Sequence, residues 1–495
     1  MNVMKKGCGQ LAARVTLLLL FLLCGTLGHV ESFGVNVDVE GEPDGIRLIH
    51  NLTEDNGQVK MFRDSFGVNA HAGYIQIDCN TQDTKKTKNL FFLLVKSQKK
   101  NAKLILWIQG GPAESSLFGQ FLENGPVGID KNGTLYKRKG SLSKNYDVLY
   151  LDQPVGAGFS FTDYSDCYAK SREDCSRDIE KFMRKFLHVF HEYRGRDFYV
   201  AGESYGVRLA AAVASRMFRL KESDENPLQL DLKGLICSAG YFEEAMVQLD
   251  TAAYLLQMGL LDRTGYETLK SVIARIKSLV HDHGYYKKLE AFRVYSKTFG
   301  WTQNASHPVL MTKLTGFLYD SNTLQAIEPK EHVQYRKLMS NRKFKRAIHI
   351  GSDVMYRASS RLLMISLIND YNRNVRAELE TLLKNGYRVL VLQGQLDMKL
   401  STVATEKFLR SVEWPGQEAF LRRSRLLWWK DGRERDFTGY VTEGGNLTVV
   451  LLRNAGHYPF FDRPGAALQV TRRFIACQPL LTKRLGATGE YQTTS

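Results

Sequence analysis

Phe198-Tyr-Val-Ala-Gly-Glu-Ser-Tyr-Gly206 runs through Val207 into Arg208-Leu-Ala-Ala-Ala-Val-Ala-Ser-Arg-Met217, and this stretch decides the fold. Phe198 to Ala201 is rich in β-formers, while Arg208 to Met217 is an alanine-rich helix former. A strand that must become a helix within five residues leaves Ser204 on a sharp turn. Gly202 and Gly206 permit that turn, because a Cβ at either place would collide with the neighbouring strand or helix. A bare Gly-x-Ser-x-Gly match carries little weight. The strand before it and the helix after it separate Ser204 from a structural serine that merely opens a helix.

Further short β-rich runs appear at Leu104 to Ile108, Val148 to Leu151, Leu232 to Cys237, Val389 to Leu392 and Thr448 to Leu452. Their apolar continuity predicts strands buried on both faces, as in a parallel sheet. Ile179, Phe182, Met183, Phe186, Leu187 and Phe190 fall on one helical face ahead of the strand at Phe198. Strand, helix, strand is an α/β pattern. A second helix near Val375 to Leu383 ends at Asn385-Gly386 and leads into Val389 to Leu392. Residues 241–370 break the rhythm with helical patterns and no convincing strand, which predicts a cap inserted into the sheet domain. The expected organisation is a leader over 1–28, core over 29–240, cap over 241–370, core over 371–483 and a loose polar tail over 484–495.

A serine hydroxyl needs a general base, and the base needs an orienting acid. Asp397 follows the strand at Val389 to Leu392, in Gln393-Gly-Gln-Leu-Asp397. His457 follows the strand at Thr448 to Leu452, in Asn454-Ala-Gly-His457. Both sit just past strand C-termini, where a doubly wound sheet gathers its site, and the chain order Ser, Asp, His is that of an α/β-hydrolase. His71, His188, His191 and His349 lack that address and are expected to be surface or core residues. A developing oxyanion needs two backbone N–H donors. Tyr205 offers one, and Gln109-Gly-Gly-Pro112 after the strand at Leu104 to Ile108 offers the other.

Lys5 and Lys6, the apolar run Leu17 to Leu23 and the small residues at Gly25 to Gly28 have the plan of a secretory signal peptide, shorter than a membrane span. Four sequons, at Asn51, Asn132, Asn304 and Asn446, agree with export and glycosylation. Of seven cysteines, Cys8 and Cys24 would leave with the leader. Cys79, Cys167, Cys175, Cys237 and Cys477 remain in an oxidising compartment, with at least one unpaired. Cys167 and Cys175 are near enough to close a small loop, and Cys237 reads as a buried thiol. No CxxC pair or His/Cys cluster indicates a metal, and nothing calls for a cofactor. The net charge of +16 is dispersed in groups such as Lys85-Lys-Thr-Lys88 and Arg342-Lys-Phe-Lys-Arg346. They predict solvated loops rather than a nucleic-acid surface.

Trp107-Ile-Gln-Gly-Gly-Pro112, Leu151-Asp-Gln-Pro-Val-Gly-Ala-Gly-Phe-Ser160, Gly202-Glu-Ser-Tyr-Gly206, Gly394-Gln-Leu-Asp397 and Gly456-His457 resemble the serine carboxypeptidase family in order and spacing. The chain looks most like the vitellogenic carboxypeptidase-like branch. The resemblance runs from about Phe66 to Ile475 and implies removal of C-terminal residues from peptides, favoured at acidic pH, in a secreted or lysosomal protein. It makes Ser204 the nucleophile, His457 the base, Asp397 its orienter and the Gly111 and Tyr205 N–H groups the oxyanion hole. It also assigns Gln109, Gly110, Glu123 and Glu203 to the substrate's terminal carboxylate. Two acids beside a third carboxylate cannot all be charged, so one is driven to its protonated form.

The chain departs from the family's pattern at Gln109, usually Asn, at Ala113, usually Gly, and at Glu114, usually small or Cys. Gln109 keeps an amide donor. Were position 113 to need a positive φ, alanine there would cost about 1 kcal/mol. Glu114 is expected either to face solvent or to weaken or acid-shift the activity. Three classes of function follow: an active serine carboxypeptidase, an acyltransferase or esterase with the same triad, and a binding protein with a decayed site.

Overall fold

The structure, a computed structural model, describes residues 47–49, 57–79, 83, 85–223, 226–244, 251–282, 284–300, 308–358, 360–430, 436–480, 482–485 and 491–493. The leader over 1–28 and the sequons at Asn51 and Asn304 fall outside them.

Strands with few polar side chains pair in the interior of the sheet, where both faces are covered. In chain order the strands are β1 (Ala70–Asp78), β2 (Thr87–Val95), β3 (Leu104–Ile108), β4 (Val127–Ile129), β5 (Leu135–Lys137), β6 (Asp147–Leu151) and β7 (Asp197–Glu203). They continue with β8 (Asp231–Ser238), β9 (Arg388–Gly394), β10 (Leu426–Trp428), β11 (Gly439–Gly444), β12 (Leu447–Leu452), β13 (Thr482–Leu485) and β14 (Tyr491–Thr493). Twelve form one sheet in the order β1-β2-β6-β3-β7-β8-β9-β12-β11-β10-β13-β14, and β4 and β5 pair separately. The six strands expected from the sequence are the contiguous block β6-β3-β7-β8-β9-β12, all parallel. Both margins are antiparallel: β1 and β2 on one side, β11, β10, β13 and β14 on the other.

Helices cover the sheet. Arg172–Val189 begins at Ser171, whose hydroxyl accepts the Asp174 N–H at 3.2 Å, with Glu173 and Asp174 in the first turn, where the helix dipole favours acids. Its buried Phe182 and Phe186 pack edge-on against Phe92 of β2, with centroids 5.7 and 6.1 Å apart. Burying each such ring contributes roughly 1.5–3 kcal/mol. Gly206–Glu222 leaves the Ser204 turn with nearly its whole first half buried, and Arg376–Lys384 precedes β9. The described part of 241–370 consists of helices and connecting turns, with no strand of the sheet.

Three expectations need correction. Cys167 pairs with Cys79, 88 residues away, rather than with Cys175, which is a buried free thiol on the helix Arg172–Val189. Sequence proximity is a poor guide here, because Cys79 follows β1 and the fold brings β1 beside that helix. Cys237 is buried and free, as expected. The basic groups are not all solvated: Lys88 is buried against both Asp178 oxygens at 2.8 and 2.6 Å, and Lys345 donates to the Ser352 and Val354 carbonyls. A lysine can be buried when its charge is matched this closely. Past Lys483 the chain does not simply trail off. It supplies β13 and β14, because an edge strand such as β10 offers backbone partners whatever the side chains.

Candidate active site

β7 ends at Glu203, and Ser204 occupies the left-handed region with φ 55°. A non-glycine residue there is strained. The strain is held by Ser204 N–H donating to Ser238 O at 2.9 Å and by the helix Gly206–Glu222 starting immediately. Gly202 and Gly206 have no room for a side chain: a Cβ on Gly206 would strike the Ile108 carbonyl, and one on Gly202 would strike Gly206 itself. The local sequence therefore forces the Ser204 hydroxyl out at the C-terminal end of the sheet.

The loops after β9 and β12 bring two partners to it. His457 Nε2 lies 2.9 Å from Ser204 Oγ, and His457 Nδ1 lies 2.9 Å from Asp397 Oδ2. Asp397 also accepts the Lys399 and Leu400 N–H groups at 2.8 and 3.0 Å and the Gln393 side-chain amide at 3.0 Å. An oxygen pair that takes three N–H donors is an acceptor toward His457 as well, so Nδ1 carries the imidazole proton and Nε2 is free to accept from Ser204. The two loops meet backbone to backbone, since a Cβ on Gly394 would overlap the Gly456 carbonyl. His457 N–H donates to Ser321 O at 2.6 Å, tying this loop to the helical segment. Asp397 and His457 are buried, and Ser204 is 9% exposed.

The loop after β3 lies over this serine. Gly110 leaves no space for a Cβ against Ser204 and Tyr205, and Gly111 is left-handed at φ 108°. Among the described residues neither the Gly111 nor the Tyr205 N–H has a backbone acceptor. Ala113 is buried and its φ is not positive, so the expected alanine strain is absent: Gly111 carries the unusual φ. Glu114 is half-buried, and its carboxyl is held by the protein. Its Oε1 accepts from the hydroxyls of Tyr356 and, at 3.5 Å, Tyr335.

Ser204, His457, Gln109, Gly110, Gly111 and Tyr458 line a cavity of about 110 Å³. Glu123 and Glu203 stand behind that wall, 1% and 0% exposed. Glu203 Oε1 accepts from Gln109 Nε2 at 2.7 Å and Oε2 from Ser238 Oγ at 3.0 Å. Gln109 is itself fixed by the Trp107 indole N–H, at 2.8 Å from its Oε1. Burial, then the neighbouring Glu203, pushes Glu123 well above the usual carboxylate range, and burial pushes Glu203 up to about 7. Asn132 is exposed in the β4–β5 turn, and Asn446 is half-buried in the β11–β12 turn. His188 and His191 are exposed, and His349 is a core residue with Nδ1 3.0 Å from Ala72 O. Gln393, Ser238, Asp370 and Tyr371 were not singled out by sequence. Only Gln393 had a visible signal, sitting at the end of β9 one helical turn's distance before Asp397.

The chain belongs to the serine carboxypeptidase family, whose model matches residues 61–477, and is a serine-type carboxypeptidase, a hydrolase. It is 32% identical over 450 residues to a venom serine carboxypeptidase of Apis mellifera, covering 88% of this chain and 91% of that one. It is 30% identical over 412 residues to a vitellogenic carboxypeptidase of Aedes aegypti, covering 82% and 83%. The crystal structure of Kex1(delta)p, a prohormone-processing carboxypeptidase of Saccharomyces cerevisiae, superimposes with a TM-score of 0.69 at 20% identity, over 86% of this chain and 94% of that one. That likeness establishes the shared α/β-hydrolase fold. Among the described residues no helix is long and apolar enough to cross a membrane.

Proposed function

We propose that the protein releases C-terminal residues from peptides through an acyl-enzyme on Ser204, and works best at acidic pH. The observation that carries this reading is the unbroken relay from Ser204 Oγ to His457 to Asp397, with 2.9 Å at each step. His457 takes the Ser204 proton as Oγ attacks the last peptide carbonyl, and Asp397 stabilises the imidazolium that forms. The Gly111 and Tyr205 N–H groups receive the oxyanion. His457 then gives its proton to the departing amine, which leaves as the free terminal amino acid, and water repeats the cycle on the acyl-enzyme.

The substrate's terminal carboxylate lies against Gln109 and Gly110, with the Glu123–Glu203 pair directly behind. Glu203 is protonated below about pH 7 and Glu123 is raised well above the usual carboxylate range, so at acidic pH this end of the cavity carries no negative charge to repel an anion. Residues 241–370 act as a cap over the site, and the leader-like N-terminal sequence and the sequons support a secreted or lysosomal protein of the secretory pathway.

The test pairs a labelling experiment with substrate choice. A fluorophosphonate probe labels Ser204 in the wild type and fails to label His457→Ala. Peptides with a free C-terminus are shortened stepwise while their amides are spared. Labelling without any peptide turnover would replace this reading with an esterase or acyltransferase, and absence of labelling would replace it with a binding protein.

A further inference from the structure

A second cavity of about 390 Å³ adjoins the one at the serine, and Glu114, Met311, Met398, Lys399 and Tyr458 line both. Glu114 stands at this junction. Its Oε1 takes every hydrogen bond the carboxyl makes among the described residues, from the Ser115 N–H at 3.2 Å, Tyr335 and Tyr356. These three donors fix the carboxyl in place and leave Oε2 for a ligand. The other charges around the two cavities cancel in pairs. Lys399 holds Asp320 at 3.2 Å, Arg336 holds Glu328 through two bonds of 2.6 and 2.5 Å, and burial lowers His332 to about 3, leaving it neutral. Once these pairs are removed from the sum, Glu114 is the group with charge to spare.

Resting on the carboxypeptidase reading, we infer that Glu114 determines specificity: its carboxylate receives the ammonium or guanidinium of a lysine or arginine flanking the scissile bond, whose side chain extends into the second cavity. A cation that loses its hydration in a narrow cavity is accepted only where a fixed anion replaces the water, and Glu114 is the anion the tyrosines hold in place. An uncharged side chain of the same length gains nothing from it.

The preference is switchable. Burial raises Glu114 to about 7; the Tyr356 hydroxyl, the Ser115 N–H and the positive charge of Arg336 oppose that shift, and Asp152 reinforces it. Tyr335, Tyr356 and Tyr458, which also face it, are pushed well above their usual range and stay protonated. Below pH 7 Glu114 is neutral and basic and apolar residues compete on size. Above it Glu114 is charged and basic residues gain.

Two series of blocked dipeptides test this, one varied at the terminal residue and one at the penultimate residue, each comparing lysine with norleucine. The ratio of their kcat/KM values is taken at pH 5 and pH 8. Both substrates share the terminal carboxylate, so any loss caused by Glu203 cancels in the ratio. The ratio rises about tenfold between the two pH values in one series, and Glu114→Gln makes it flat. Glu114→Asp, which keeps the charge but draws it back, retains a smaller rise and guards against misfolding of the amide variant. A flat wild-type ratio in both series, or a rise that survives Glu114→Gln, overturns the inference. Should no dipeptide be cleaved, the carboxypeptidase reading fails separately, and the same ratios measured as Kd on Ser204→Ala by calorimetry decide the role of Glu114.

Discussion

The hydroxyl of Tyr371 donates to the Gly111 carbonyl across 3.1 Å. Its neighbour Asp370 accepts from the Tyr205 hydroxyl at 2.9 Å, and the Tyr371 and Tyr205 rings lie with centroids 4.8 Å apart. Two consecutive residues in the short helix Ile368–Tyr371 thus hold both donors of the proposed oxyanion hole. Gly111 and Tyr205 come from different loops, and their N–H groups converge only if something outside both loops sets the distance. The Tyr371 hydroxyl acts on the carbonyl of the same residue whose N–H is to meet the oxyanion, and so fixes the plane of the loop.

Tyr371→Phe removes that one hydrogen bond and keeps the ring contact. Losing a bond worth roughly 1 kcal/mol at a positioning residue lowers kcat about fivefold. KM stays unchanged, because the ground-state carbonyl makes no demand on the geometry that the tetrahedral intermediate needs. Steady-state kinetics on a peptide and on an ester, with the loss appearing in kcat for both, check this. A rise in KM alone would assign Tyr371 to substrate binding instead.

The parts of the fold that were legible share a physical cause. β3, β6, β7, β8, β9 and β12 are interior parallel strands, and burial on two faces writes itself as a continuous apolar run. β1, with Ala70, Ala72 and Gly73 among its residues, and the short β10 carry no such run. Ser204, Asp397 and His457 were legible because each follows such a strand. Asp370 and Tyr371 were not, since their bonds to Tyr205 and Gly111 span 165 and 260 residues and no local pattern encodes them. Glu114 was visible as a departure from the family, but its contact with Tyr356 spans 242 residues, so sequence left its direction open.

Asp370 has a second duty. It is buried between Arg172 and Arg208, whose guanidinium groups approach to 3.8 and 3.5 Å, and it caps the Arg172 N–H at 3.1 Å. Arg172 keeps Glu378 at 2.7 Å if the aspartate is lost, but Arg208 is left with carbonyl partners alone. Asp370→Ala therefore strands a buried charge and lowers folding stability by roughly 3–5 kcal/mol. Urea unfolding followed by circular dichroism measures it. Asp370→Asn, which can still accept from Tyr205, loses less. Equal stability of Asp370→Ala and wild type would show that the arginines are solvated in solution.

On the proposed reading, the paired acids behind Gln109 set the pH dependence of the activity, and its sign follows from the direction of their shifts. Glu203 is raised to about 7 and Glu123 well above the carboxylate range, both chiefly by burial. Each is protonated below its raised pKa and charged above it. A peptide's terminal carboxylate is anionic throughout, so above pH 7 it meets a negative Glu203 that is neutral below. KM for a free-acid peptide then rises through pH 7, approaching roughly tenfold per pH unit, because only the protonated enzyme binds. Glu203→Gln keeps an acceptor for Gln109 Nε2 and cannot ionise, so the rise is lost. An ester substrate with a blocked terminus shows no such rise in either protein, which separates the effect from titration within the relay. The profile of kcat/KM from pH 4 to 9 on both substrate types checks it. If the free-acid profile of Glu203→Gln falls above pH 7 as the wild type does, the proton that matters is not on this pair.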